Sequence, residues 1–358
     1  MSLPIDRTTS SRIDATAIAE GRLTNVPSDH MFIAEYSNGE WRKQRIQPYR
    51  AIPLAPFALG LHYAQSVFEG MKAYRLENDS VAVFRMKPHH NRFNRSLDRM
   101  LMPQVPEELF RDAITTLLDL DREWVPEGPD GAFYIRPFVF ASEEKMGLKP
   151  SDEFLFIVIG GPFRPLYSKP LRVKVERTYT RATPGGTGYA KCAGNYAAAM
   201  LPTKLAKDEG YDQVIWTDAV NHSRVEESGT MNIACIEKLN GKRVLITPAL
   251  TDTILDGITR DSVLHLAREN GIDVEEREIS VDALGKGLAD GTITEVFGIG
   301  TAASVAPVGC VAIDGTEYNL NVDGTQLMFD LKNKLDAIRY GKTSDRYEWM
   351  SIVDGSAR

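Results

Sequence analysis

The segment GYAKCAGNY, residues 188–196, sets Lys191 in a run of small residues, with glycines at 185, 186, 188 and 194. A lysine on a loop is ordinarily a solvated charge. These neighbours admit a second reading, an amine held where a flat, bulky group approaches the main chain, because glycine leaves room for a planar ring. An amine attacks an aldehyde when it is neutral, and small apolar neighbours favour that form by desolvation. Four other places share the task of holding an anionic, flat, electrophilic group. Glu227, in VEESGTMNI, is read at a turn before a strand, where a buried carboxylate would pair with a protonated ring nitrogen. ILDGITRDSVL puts Gly257 just ahead of a helix, so the backbone N–H groups of Ile258 and Thr259 offer a seat for a phosphate. GIGTAAS, residues 298–304, adds a small-residue turn with the Thr301 hydroxyl, and Arg92 supplies a guanidinium from a helix predicted over 88–101.

Each place has a plain alternative: an exposed turn glutamate like neighbouring Glu226, an ordinary helix start, a helical arginine facing water. Taken in order, they fit pyridoxal 5'-phosphate, which enzymes anchor through a Schiff base to lysine while an acid at the pyridine nitrogen keeps the ring an electron sink.

The elements that must position these groups follow from periodicity. HMFIAEYSNGEWRKQRI reads as a hairpin around Asn38–Gly39, VAVFRM as a strand, and PHHNRFNRSLDRML as a helix with proline in its first turn. PEELFRDAITTLLDLDREWV is a second helix, with Phe110, Ile114, Leu117 and Leu118 on one face, and FYIRPFVF and FLFIVIG are apolar strands. RVKVERTYTR, 172–181, reads as a strand with one wet face, and a helical run follows GYAKCAGNY as far as Gly210. DQVIWTDA, TMNIACIEK and RVLITPA are strands separated by turns at NHSRVEESG and LNGK, and ITRDSVLHLARENG is an amphipathic helix stopped by Gly271. DVEEREIS alternates, VDALGKGLADG is a short helix, ITEVFGIG is a strand, and QLMFDLKNKLDAIRYG is a closing helix. The order is α+β-like in both halves, with few repeated βαβ units, so a Rossmann sheet is not favoured.

With 358 residues the chain exceeds one ordinary core. The net charge of −7 argues against a nucleic-acid partner. No long stretch lacks charge, so no membrane span is expected. The N-terminus has no apolar core followed by a small-residue cleavage site, and the three cysteines, 192, 235 and 310, form no CxxC pair. A reducing cytoplasm fits best. The six histidines form no HExxH, no GxxxxGK[ST] loop is present, and no metal is expected.

NRF with Arg92, FYIRP, GYAKCAGNY, EESGTMNI, LDGITR and GTAASVAPV, in this order, resemble the fold-type IV pyridoxal-phosphate enzymes, and among them the branched-chain amino-acid aminotransferases. The resemblance runs from SDHMFIAEY through LHYAQSVFEGMKAY to the end, roughly nine-tenths of the chain. It implies a two-domain α+β / α/β fold: a smaller N-terminal α/β domain over 1–160, with 1–25 a flexible arm, a linker over 161–170, and a larger C-terminal cofactor-binding domain over 171–358. It also implies a homodimer. By resemblance Lys191 is the Schiff-base lysine, Tyr196 bonds the ring hydroxyl and Glu227 partners the pyridine nitrogen. Arg92, the Ile258 and Thr259 amides and Thr301 seat the phosphate. Tyr63, Phe68, Tyr134 and Arg136 form the substrate pocket, with Thr230 and Ala302 its wall, and Thr230 also borders the cofactor.

The implied reaction is transamination of leucine, isoleucine and valine with 2-oxoglutarate, giving branched 2-oxo acids and L-glutamate. D-amino-acid or R-amine aminotransferases, aminodeoxychorismate lyases and a non-catalytic binding protein of the same fold are the alternatives. Two departures bear on the comparison. Ala303 and Ala306 stand where mammalian relatives carry a CxxC pair, and NVPSDHM and GGPFRP depart from family patterns that shape the substrate entrance.

Overall fold

A computed structural model describes residues 3–13, 26–164, 167, 169–239, 241–324 and 326–353. The architecture is mixed α/β and divides into two units. One comprises the described residues of Met1–Arg164, Ala190–Ala193 and Ala337–Arg358; the other comprises those of Pro165–Tyr189 and Gly194–Asp336.

In the first unit, β1 (His30–Ser37) and β2 (Glu40–Pro48) form the expected hairpin. Asn38 and Gly39 both take positive φ, 53° and 82°, the twist that a two-residue hairpin turn demands. β3 (Ser66–Phe68), β4 (Met71–Arg75), β5 (Val81–Phe84), β6 (Ala132–Ala141) and β7 (Phe154–Phe163) complete the run. The strand Met350–Val353 joins them, giving the order Met350–Val353, β5, β4, β6, β7, β1, β2, with β3 also paired to β6. Helix α1 (Leu59–Tyr63) is a single turn. Helices α2 (Met86–Arg99) and α3 (Glu107–Leu120) bury one stripe each: Met86, His89, His90, Phe93, Ser96 and Leu97 on α2, and Leu109, Phe110, Ala113, Ile114, Leu117 and Leu118 on α3. This three-to-four-residue spacing is what an amphipathic helix needs to cover a sheet. Phe93, Phe110 and Phe156 meet with ring centroids 5.7 to 6.4 Å apart and form the centre of this core.

Two stretches differ from the sequence expectation. The expected linker at 161–170 begins as strand, because Gly161, Pro162 and Phe163 pair with Tyr134, Phe133 and Ala132 on β6. β1 pairs with β7 only as far as Val158, so Pro162, which has no N–H, costs no ladder bond on that side. Residues 165, 166 and 168 of the expected linker lie outside the described residues, as do 14–25 of the expected flexible arm. Residues 3–13 run beside β2: Ile5 bridges Ile46, Asp6 N–H donates to the Ile46 carbonyl at 2.9 Å, and Arg12 N–H donates to Asp29 at 2.8 Å.

In the second unit, β8 (Leu171–Val175) alternates buried and half-buried residues as its pattern predicts, but it is shorter than expected. The Glu176 carboxylate accepts the N–H groups of Thr178 and Tyr179 at 2.7 and 3.0 Å and turns the chain there. Helices α4 (Ala193–Ala198) and α5 (Met200–Asp208) follow and stop before Gly210, at φ 91°. β9 (Gln213–Thr217), β10 (Val225–Ser228), β11 (Met231–Leu239), β12 (Lys242–Thr247), helix α6 (Ile258–Glu269), β13 (Asp273–Glu276), helix α7 (Val281–Asp290), β14 (Ile293–Gly300), β15 (Ser304–Ile313) and β16 (Thr316–Asn319) succeed one another. The closing helix is Leu327–Arg339. The sheet order is β10, β9, β8, β15, β14, β11, β12, β13, and β10 pairs with β11 as well as β9, so six strands form a closed ring. Closure leaves β10 with partners on both edges, which fixes its register.

A Cβ built on Gly160 would lie 2.1 Å from the Phe133 ring and 2.8 Å from the Tyr134 carbonyl. Gly160→Ala is therefore expected to destabilise the protein by about 1–3 kcal/mol through overpacking, read as a lower urea midpoint; an unchanged midpoint would contradict the packing.

Candidate active site

Of the residues singled out in the sequence, Tyr63, Phe68, Arg92, Tyr134, Arg136 and Lys191 belong to the first unit. Tyr196, Glu227, Thr230, Ile258, Thr259, Thr301 and Ala302 belong to the second.

In the first unit the Lys191 main chain is held from both sides. Phe68 N–H donates to the Lys191 carbonyl at 3.0 Å, and Lys191 N–H donates to Ser96 Oγ on α2 at 2.9 Å. Val67 and Cys192 form an antiparallel bridge, so Lys191–Cys192 extends the pairing of β3 by one short rung. Cys192 is buried in the core, as its small apolar surroundings predict. Lys191 Nζ lies 5.1 Å from the centroid of the Phe68 ring. The Arg136 guanidinium stacks 4.5 Å from the Phe68 centroid and 5.3 Å from that of Tyr134, and donates to the Tyr134 hydroxyl at 3.0 Å. Tyr134 and Arg136 are two apart on β6 and so share a face. Gly70 makes room for them, since a Cβ there would sit 2.0 Å from the Tyr134 hydroxyl. Tyr63 ends α1 and is exposed.

Arg92 is buried on α2 and grips Glu69 with a fork: Nε to Oε2 at 2.8 Å and Nη2 to Oε1 at 2.6 Å. His89 Nδ1 lies 3.2 Å from the same Oε1, which also accepts Gly70 N–H at 2.7 Å. Burial alone would raise the Glu69 pKa, but the Arg92 charge, with His89 beside it, holds the carboxyl well below the usual range. Burial pushes His89 down, helped by Arg92 and Lys191 and opposed by Glu69. Sequence reasoning missed Glu69 and His89. The available signal is an acid in VFEGMKAY, a largely apolar stretch, which must find a cation once buried.

In the second unit the reading of Glu227 at a turn is corrected: it lies inside β10, whose four residues are all buried. The ladder accounts for this, with Glu227 opposite Trp216 on β9 and Asn232 on β11. Glu227 Oε1 accepts Leu255 N–H at 2.9 Å and Asn232 Nδ2 at 3.1 Å, and Oε2 lies 3.1 Å from Arg181 Nη2. Arg181 also donates to the Thr253 carbonyl. Glu226, read as exposed, is buried too; burial raises its pKa, and Thr253 Oγ1 donates to it at 2.6 Å. The loop before β10 is gathered by Asp218, which accepts N–H groups from Asn221, Ser223 and Arg224 at 2.7 to 3.0 Å. Burial alone would raise the Asp218 pKa, yet these donors hold it well below the ordinary value.

Gly257 precedes α6 in extended conformation, and no side chain caps that helix start. A Cβ on Gly257 would fall 1.9 Å from Asn232 Oδ1. Ile258 and Thr259 are buried in the first turn, whereas Thr230 is exposed beside Gly229, at φ 57°. Thr301 and Ala302 are half-buried in the turn between β14 and β15. Tyr196 is half-buried on α4, next to Asn195, whose amide exchanges two 2.7 Å bonds with Thr187. Sequence reasoning missed Arg181 and gave Asn232 no role.

Glu69 and His89 both bind protons less readily in the folded than in the unfolded chain, so each adds stability that rises with pH. The Glu69 share is complete above the ordinary glutamate pKa, about 4.3, and is lost as pH falls through its depressed folded value; the His89 share begins to fade below about 6.5. Glu69→Gln is expected to cost about 3–5 kcal/mol near neutral pH, by leaving Arg92 buried without its counter-charge, and to flatten the acid limb. Urea unfolding at a series of pH values checks this, and an acid limb as steep as in the wild type would contradict it.

The family model described as amino-transferase class IV matches residues 66–310. The branched-chain-amino-acid transaminase 1 of Bacillus subtilis is 43% identical over 331 residues, covering 90% of this chain and 91% of its own. Among solved structures, the branched-chain aminotransferase from the thermophilic archaeon Thermoproteus uzoniensis, with norvaline, has a TM-score of 0.73 at 25% identity and covers 90% of this chain and 100% of its own. The branched-chain amino acid aminotransferase from Thermobaculum terrenum, in its PLP-form, shares the fold with a TM-score of 0.73 at 23% identity, over 90% of this chain and 98% of its own. With its matched span exceeding half of its length, the chain belongs to the class IV aminotransferase family.

Proposed function

We infer that this chain catalyses pyridoxal-phosphate-dependent transamination of branched-chain L-amino acids with 2-oxoglutarate, releasing branched 2-oxo acids and L-glutamate. The observation that carries the reading is Lys191, its main chain hydrogen-bonded on both sides and its amine over the Phe68 ring, in a chain of this family.

The donor set suits the cofactor. The start of α6 has no side-chain cap, so its first main-chain N–H groups are suited to a phosphate, as an anion site requires. Glu227 offers a buried acceptor of fixed orientation for a ring nitrogen. Lys191 would hold the aldehyde end, Tyr196 the ring hydroxyl, and Arg92, Ile258, Thr259 and Thr301 the phosphate, with Thr230 at the border. When bound, pyridoxal 5'-phosphate supplies an aldehyde for amine exchange and a ring that accepts negative charge.

The chain's residues do the rest. Lys191 Nζ takes the proton from the substrate Cα in one half-reaction and returns it there in the other. Phe68, Tyr134 and Tyr63 give a Leu-sized side chain apolar surface. Arg136 offers a forked donor to the carboxylate of glutamate or 2-oxoglutarate, a geometry that lysine lacks. Supporting that role, Arg136 stacks on aromatic rings and bonds a hydroxyl, with no carboxylate at ion-pair distance among the described residues. Thr230 and Ala302 wall the substrate. In this division of labour the first unit carries Lys191 and the residues assigned to the substrate pocket on β3 and β6, and the second carries Glu227 and the start of α6. The proposal also includes a homodimer working in the cytoplasm. Among the described residues no helix is long and apolar enough to cross a membrane.

Purified protein with pyridoxal 5'-phosphate is expected to be yellow, to bleach with borohydride, and to turn over leucine, isoleucine and valine with 2-oxoglutarate. Lys191→Ala should lose the borohydride-trapped adduct and at least about a hundredfold in kcat. Turnover of D-amino acids or R-amines without turnover of the three branched L-amino acids would reject the substrate assignment.

A further inference from the structure

The segment EESGTMNI contains Asn232, to which the proposed reaction gives no task. Asn232 sits on β11 directly across the ladder from Glu227 and is only 6% exposed. Its amide nitrogen has two protons and two acceptors, Glu227 Oε1 at 3.1 Å and the Leu255 carbonyl at 2.8 Å. Leu255 N–H donates to the same Oε1 at 2.9 Å. Carboxylate, amide and peptide thus close a small ring in which each member is held by two bonds. The other end of the amide, Oδ1, lies against Gly257, where no Cβ fits. Gly257 is two residues beyond Leu255 and immediately precedes α6.

A carboxylate on a flexible side chain can exchange its two oxygens and tilt out of plane. The paired donors at Oε1 remove that freedom, and the contact with Gly257 extends the constraint to the launching point of the helix. We propose that Asn232 is a positioning residue for the reaction: it fixes the Glu227 carboxylate in one orientation and sets its spacing from the start of α6. This rests on the reading that Glu227 faces the ring nitrogen and that the α6 start seats the phosphate. The cofactor would then meet its two polar ends at a distance imposed by one amide. A purely structural asparagine would hold the β10–β11 turn and affect neither end.

The experiment compares wild type, Asn232→Ala and Gly257→Ala, the last disturbing Oδ1 while leaving the amide in place. Four quantities are read: affinity of the apoprotein for pyridoxal 5'-phosphate, the pH midpoint of the bound cofactor's visible absorption, kcat and KM for leucine, and the Tm of the apoprotein. Both variants should bind the cofactor about tenfold more weakly and show a shifted absorption midpoint, with kcat about tenfold lower and KM for leucine within about twofold, as expected for losing one bond to a charged group. A fall in Tm with affinity, midpoint and kcat within about twofold of wild type would overturn the inference and leave the proposed function standing. Should Asn232→Ala not fold, the smaller change Asn232→Ser is read by the same criteria, with Gly257→Ala as the control for direct disturbance of the helix start. Wild type that takes up no cofactor would overturn the proposed function and this inference together.

Discussion

The hydrogen bond from the Phe68 amide to the Lys191 carbonyl is the constraint from which the first unit's chemistry follows. A lysine side chain has about 2 kcal/mol of rotamer entropy, so an amine on a mobile loop would seldom occupy one place. Here the main chain beneath it is part of a β pairing, so the side chain starts from a fixed base. The same bond belongs to a circuit. Lys191 N–H reaches Ser96 Oγ, Ser96 Oγ donates to the Arg92 carbonyl, Arg92 grips Glu69, and Glu69 follows Phe68 in the chain. Displacing any member strains the rest, which is how a reactive amine can be precise while sitting in a glycine-rich stretch.

Each unit also buries a carboxylate against an arginine: Glu69 with Arg92, and Glu227 with Arg181. Taking such charges out of water is costly, and their attraction repays it only when geometry is good and the remaining lone pairs are met. Both pairs meet that condition through main-chain donors, Gly70 N–H for Glu69 and Leu255 N–H for Glu227. A packed apolar pair would serve stability as well. What the ionic pairs add is orientation, because a fork or a doubly bonded oxygen tolerates little rotation.

Elements that announce themselves by period were legible in the sequence: the Asn38–Gly39 hairpin, the two amphipathic helices of the first unit, and the helix stopped by Gly271, whose φ is 72°. Errors arose where partners remote in sequence decide the outcome. SRVEESG has the composition of a wet turn, yet β9 and β11 enclose it, Thr253 donates to Glu226, and Leu255 and Arg181 meet Glu227. β8 stopped early because Glu176 folds back on its own chain, which no periodicity records. In the candidate site, the lysine and the glycine before α6 stood out through local composition. Glu69, His89 and Asn232 did not, since each matters only through a neighbour that folding supplies.

Loops on a protein surface usually absorb insertions and deletions at little cost. The Asp218 loop is an exception: one carboxylate gathers the amides of Val220, Asn221, Ser223 and Arg224 and delivers the chain to β10, where Glu227 meets Trp216 on β9 and Asn232 on β11. Lengthening it by a single residue would offset β10 from its neighbours and draw Glu227 away from Asn232 and the Leu255 amide. In any family of length variants, residues 218–224 should therefore behave as a ruler, tolerant of changes in side chain and intolerant of changes in number.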